Sequence, residues 1–119
     1  MQYLLLIYEN EQVMAGLSEE EQGKIFQEYI DYTKGIRKSG HHLAGEALQP
    51  VSTATTVRVK NGKTLTTDGP FAETKEQLGG FYMVEAKDLD EAIALAAAIP
   101  ASRSGSVEVR PIMPFPIPE

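Results

Sequence analysis

Gln2-Tyr3-Leu4-Leu5-Leu6-Ile7-Tyr8 is an almost unbroken apolar run between Met1 and the polar Glu9-Asn10. Its length and flanks favour a strand over a helix. Strand side chains alternate between faces, so Tyr3, Leu5 and Ile7 share one side and Leu4, Leu6 and Tyr8 the other. Both sides are apolar, and both therefore need cover. Gly79 to Glu85 (GGFYMVE) reads the same way, with Phe81 and Met83 on one side and Tyr82 and Val84 on the other. Two strands that are greasy on both faces set the problem the fold has to solve.

Working outward, Glu9 to Leu17 reads as a polar loop. Ser18 starts a helix, with Glu21 placed to complete a capping box and Leu17 as a hydrophobic staple. Ile25, Phe26, Tyr29, Ile30, Thr33 and Ile36 fall on one face at helical spacing. Glu19, Glu20 and Glu21 sit at the positive end of that helix. Lys34, Arg37 and Lys38 sit near its negative end, where the macrodipole favours cations. Ser39-Gly40 ends it, with Gly40 as a left-handed cap. His41 to Leu48 (HHLAGEAL) is a short strand, broken by Gln49-Pro50.

Thr53 to Lys60 alternates, and Asn61-Gly62 after it is a strong hairpin signal. Lys63 to Thr67 returns antiparallel, setting Val57 opposite Thr66 and Arg58 opposite Leu65. After the Gly79–Glu85 strand, Asp88 caps a second helix with Glu91 three residues on. Ala92, Ile93, Leu95, Ala96 and Ile99 form its core stripe, and Pro100 stops it. Ser102 to Gly105 is a loop, and Ser106 to Ile112 a last strand with Val107 and Val109 inward. Residues 113–119 continue as a Pro-rich tail, and nothing divides residues 1–119 into more than one domain.

The order is strand, helix, strand, hairpin, strand, helix, strand. That is an α+β, ferredoxin-like split βαβ pattern with an inserted β-hairpin. Two helices cover one face of such a sheet. A second copy of the sheet is the economical cover for the other, so a homodimer is expected.

With 119 residues, 42% hydrophobic and 24% charged, the composition is that of a globular domain. There is no Cys, which excludes disulfides, thiolate metal sites and Cys nucleophiles. A net charge of −6 without a basic cluster argues against direct nucleic-acid binding. No run approaches the ~20 apolar residues of a membrane span. The start lacks the basic and apolar regions of a signal peptide. A cytoplasmic protein is the expectation.

Candidate chemistry concentrates in Asp68-Gly69-Pro70-Phe71-Ala72-Glu73-Thr74-Lys75-Glu76-Gln77-Leu78-Gly79-Gly80-Phe81. Asp and Gly favour turns, and Pro70 restricts both itself and Gly69. Either the turn is purely structural, with Asp68 satisfied by backbone amides, or it aims Asp68 and Phe71 into a cavity. A buried carboxylate there would accept protons with a perturbed pKa. Residues 73–76 suit a short helical turn. Lys75 is placed to pair with Glu73, Glu76 or Asp68; Lys75 and Glu76 are site candidates, and Glu73 reads as solvent-facing. Gly79-Gly80 permits close approach of a strand or ligand. Adjacent His41 and His42 point to opposite strand faces, so at most one meets any given cavity. Glu46 is within reach of the same cavity, and Arg58 and Arg110 are possible anion partners. No spacing marks a metal site, and no cofactor is expected.

DGPFAETKEQLGGFYMVE, residues 68–85, resembles the signature of the DGPF proteins, a branch of the YCII-related family. The resemblance continues through YLLLIY, TATTVRV, DLDEAIALAAAIP and SVEVRPI. It implies a ferredoxin-like fold that pairs into a dimeric α/β barrel. Related YCII-like proteins are proposed to use a His–Asp pair in a cleft; the resemblance maps the acid onto Asp68. In the DGPF branch the HHLAGEAL segment resembles GxxxGGExL, matched here by Gly45 and Glu46 but not by the histidines. The resemblance also implies an association with extracytoplasmic-function sigma factors.

Three functions follow from these readings. One is a small-molecule binding or sensing domain, with a cleft at the dimer interface near Asp68, Phe71, Tyr82 and Arg110. The second is an enzyme using Asp68 as general acid/base, its charge set by Glu46 or Lys75. The third is an interaction module for a sigma factor, using the tail and the acidic surface.

Overall fold

The computed structural model describes residues 1–118 and is mixed α+β. In chain order the elements are β1 (Gln2–Glu9), α1 (Glu11–Ala15), α2 (Glu19–Lys38), β2 (His42–Ala47), β3 (Thr55–Lys60), β4 (Lys63–Asp68), β5 (Gln77–Glu85), α3 (Leu89–Ala97) and β6 (Ser106–Pro111). Four strands form an antiparallel sheet in the order β2-β5-β1-β6, the ferredoxin-like arrangement expected. β3 and β4 form a separate two-stranded sheet. Residue 119 of the expected domain lies outside the described residues.

Local chemistry explains most boundaries. The Ser18 hydroxyl accepts from the Glu21 amide while the Glu21 carboxylate reaches back, giving the capping box of α2. Gly40 adopts φ +82°, the left-handed turn that ends α2. Asp88 caps α3 by accepting from the Glu91 amide. Asn61 and Gly62 take positive φ, and the β3–β4 register sets Val57 opposite Thr66 and Arg58 opposite Leu65.

Three local expectations need correction. Residues 9–17 are not all loop: β1 runs to Glu9, and α1 follows because the Asn10 side chain accepts from the amides of Gln12 and Val13. Residues 73–76 form no helical turn. Instead β5 begins at Gln77, which pairs with Glu9 past a register shift that leaves Gly79 of β5 unpaired. The segment after α3 coils into a 3-10 turn over Pro100–Arg103, with proline at its start.

The core lies on one face of the four-stranded sheet. Tyr3, Leu5, Ile7, Tyr82 and Val84 are buried there against Ile36 of α2, Ala92 and Ala96 of α3, and Ile99. Leu5, Val84 and Ile99 are its largest fully buried side chains. Burying each is worth roughly 1.5–3 kcal/mol. Four apolar stripe residues do not join: Phe26 is 68% exposed and Ile93 is 48% exposed, while Ile25 and Ile30 stay half-buried outside the core.

On the opposite sheet face, Leu4, Leu6, Tyr8, Phe81 and Met83 stay half-buried and outside the core. The β3–β4 hairpin extends as an arm, with Val57 and Val59 exposed. The radius of gyration, 16.6 Å, exceeds the ~13.5 Å expected of a compact chain of this length. Among the described residues, no helix is long and apolar enough to cross a membrane.

Candidate functional site

A cleft of about 550 Å³ opens between α2 and the β2–β5 edge of the sheet. Its helical wall carries Phe26, Tyr29, Thr33 and Arg37. Ile7, Gly80 and Tyr82 contribute from the sheet, and Glu11, Met14, Leu48 and Pro50 from the rim. His42 lines it at the start of β2.

Backbone packing shapes this space. Gly45 lies opposite Tyr82, and a Cβ there would stand 2.7 Å from the tyrosine Cδ1. The absent side chain lets the Tyr82 ring lie across β2. At Gly80, a Cβ would meet the Glu46 carbonyl oxygen at 2.8 Å. The close approach expected at the glycine pair is thus made by the neighbouring strand.

Hydrogen bonds fix the tyrosines. The Thr33 hydroxyl donates to the Tyr29 carbonyl at 2.8 Å, which uses its one hydrogen. The Tyr82 hydroxyl, 2.7 Å from Thr33 Oγ1, must therefore donate to it. Tyr32 packs edge-on to Tyr82 with ring centroids 5.2 Å apart and donates to the Leu95 carbonyl at 2.8 Å. Tyr29 reaches Glu9 at 3.5 Å. Burial pushes the Tyr29 hydroxyl pKa far up, and the Glu9 charge adds to it. Burial also raises that of Tyr32, with Tyr82 contributing. These phenols are hydrogen-bonding and packing groups, held neutral, not phenolate bases.

The polar groups of the cleft differ in how they are satisfied. Both Glu11 carboxylate oxygens accept from the Val51 amide. Glu9 accepts from Tyr29 and from the Ser104 hydroxyl. By contrast, Arg37 makes no ion pair and the His42 ring no hydrogen bond among the described residues.

The residues singled out from sequence fall in several places within one chain. Tyr82 is in the cleft. Glu46 borders it, but its register opposite Phe81 assigns it to the other sheet face. Arg58 and Asp68 are exposed on the arm, and Phe71 is 80% exposed just beyond it. The Asp68 carboxylate accepts no hydrogen bond from the described residues; the turn is instead held by Gly69, whose amide donates to the Ala54 carbonyl and whose carbonyl accepts from Thr56. Lys75 and Glu73 are exposed, and Lys75 has no ion pair among the described residues. Glu76 accepts from the Ser106 hydroxyl at 2.8 Å, tying the loop to β6. Arg110 pairs with Glu108.

One histidine of the two meets the cleft. His42 does; His41 is held outside it, with Nδ1 2.6 Å from the Ser39 hydroxyl and Nε2 3.1 Å from Glu91. No group of three or more possible metal-ligating side chains occurs among the described residues. Sequence reasoning missed the site roles of Tyr29, Thr33 and Arg37. Their spacing on α2 was the available signal: two polar residues continue the stripe begun by Phe26 and Tyr29.

The YCII-related domain matches residues 1–116. The chain belongs to the YCII-related family. It is also 37% identical over 114 residues to an uncharacterized protein of Rhizobium meliloti (strain 1021), covering 94% of this chain and 92% of that protein. The YCII-related match spans every element of the sheet and the arm, so cleft and hairpin both belong to the family domain.

Proposed function

We propose that this YCII-related protein is a small-molecule-binding domain with an accessory or sensing role. The observation that carries this reading is the cleft: about 550 Å³, walled by apolar and aromatic side chains with few polar groups. Ligand sites commonly occupy ~300–1,000 Å³ with that kind of lining. Thermal-shift screening against a broad metabolite library tests it. A ligand at about 100 times its Kd adds ~2.7 kcal/mol to stability. A library that yields no stabilising compound defeats the reading.

The same proposal includes a homodimer. The half-buried Leu4, Leu6, Phe81 and Met83 and the unsupported arm favour a second copy as the missing cover. Isolated two-stranded hairpins are marginal in water. Sedimentation equilibrium should return twice the 13.0 kDa chain mass, and a mass of one chain at micromolar concentration refutes the dimer.

A second reading makes the protein an enzyme in which Asp68 is the general acid/base. It is favoured by the freedom of the Asp68 carboxylate from hydrogen bonds within the described chain. In the dimer, the partner's arm would complete the cleft. Once a substrate is in hand, Asp68→Asn should lower turnover by ~10²–10⁴-fold, and an unchanged rate eliminates this reading.

A further inference from the structure

We infer that the cleft selects amphipathic organic monoanions, seating the charged group between Arg37 and His42 and the apolar body along Phe26 and Tyr82. This rests on the cleft being a ligand site and adds the chemical class it takes.

The argument starts from α2. Phe26, Tyr29, Thr33 and Arg37 follow one another along the helix at spacings of three and four residues and line the same cleft. The lining therefore grades from an apolar ring to a guanidinium. His42 follows the Gly40 turn that ends α2 and lines the cleft with Arg37. Its ring stands 6.3 Å from that of Tyr82.

Satisfaction of the remaining polar groups narrows the ligand. Thr33, Tyr29, Tyr82, Glu9 and Glu11 all have partners within the protein. Arg37 and His42 are the cleft side chains whose donors lack such partners among the described residues. An Arg fork matches a planar carboxylate or one edge of a phosphate or sulfonate. One guanidinium and one imidazole suit a single negative charge. At the other end, the Glu9 and Glu11 carboxylates disfavour a second anionic group, and Glu46 at the cleft border adds a third negative charge against one. A dicarboxylate or nucleotide is thus opposed by charge, and a neutral hydrocarbon leaves the Arg37 end unused.

The test uses two dyes with the same rings. 1-Anilinonaphthalene-8-sulfonate carries one anion, and N-phenyl-1-naphthylamine carries none. Fluorescence titration of the full chain should show saturable binding of both, one site per chain, with the sulfonate tighter. Arg37→Gln should weaken the sulfonate roughly tenfold and leave the neutral dye unchanged. Arg37→Lys should retain part of the affinity, His42→Gln should weaken the sulfonate in the same direction, and Lys24→Gln, elsewhere on α2, should change nothing. Circular dichroism checks each variant's fold; His42→Gln decides if Arg37→Gln misfolds. Equal binding of the two dyes, indifferent to Arg37→Gln and His42→Gln, overturns the anion preference while leaving the cleft as a ligand site. Failure of both dyes to saturate overturns the cleft reading as well.

Discussion

The four-stranded sheet and the β3–β4 arm are both antiparallel ladders with side chains alternating between faces, but they reach opposite ends. In the sheet, alternation buries one side of β1 and β5 against α2 and α3, with Val107 and Val109 of β6 packed on the same core. In the arm it produces a correct ladder and a correct turn, yet Val57, Val59 and Leu65 remain 60%, 69% and 47% exposed. Hairpin pairing is local and needs only turn chemistry and register. Burial needs a second layer, which the described chain supplies to the sheet and not to the arm. Regular structure and stability are therefore separate outcomes here, and the arm has the first without the second.

The contrast can be broken by mutation, beginning in the core. Leu5→Ala, at a fully buried position in the central strand, should lower unfolding free energy by ~2–5 kcal/mol in urea titrations. A loss below ~1 kcal/mol would mean the sheet is no better packed than the arm. Gly45→Ala should cost about 1–3 kcal/mol, because Tyr82 is held by Tyr32 and Thr33 and has little room to withdraw. An unchanged denaturation midpoint would show that the ring yields. Val59→Thr on the arm should change chain stability by less than ~0.5 kcal/mol when measured at dilution where the protein is monomeric. Its effect should appear instead in the dissociation constant of the proposed dimer. A large loss in the dilute monomer would mean the arm packs against its own chain.

The buried phenols give a pH test of the sheet side alone. Tyr29 and Tyr32 have folded pKa values raised above the ordinary 10.0. Above that pH the unfolded chain releases protons that the native state keeps. Stability from this source is complete below pH 10 and declines as pH rises towards the folded values. Tyr32→Phe should flatten the alkaline decline in thermal melts between pH 9 and 11, and an unchanged slope would show that Tyr32 is not held neutral by burial.

Much of this is legible in the sequence itself. Ser18 with Glu21, Asp88 with Glu91 and Asn61-Gly62 are short-range signals whose chemistry completes within four residues, and each formed as read. Alternation in Gln2–Tyr8 fixed which side chains share a face. What escaped was relative length and position. Nothing in the period of α2 says how far along the helix the core extends, so Phe26 read as core although it is exposed and walls a cleft. Asp68, Phe71, Tyr82 and Arg110 read as a group because all four are polar or aromatic. Sequence spacing carries no information on whether an arm folds back, and in one chain these residues stand apart.

The central place of β1 has a consequence for how the protein is made. β1 is synthesised well before its neighbours: it is hydrogen-bonded on one side to a strand that begins at Gln77 and on the other to one that begins at Ser106. At a synthesis rate of ~5–20 residues per second, Leu4, Leu5 and Leu6 wait on the order of several seconds for either neighbour. During that interval the nascent chain displays this adhesive segment, and co-translational protection matters most at β1. A chain released before residue 106 keeps one flank of β1 bare, so loss of the last strand removes more than an edge: it leaves the middle of the sheet open to other molecules.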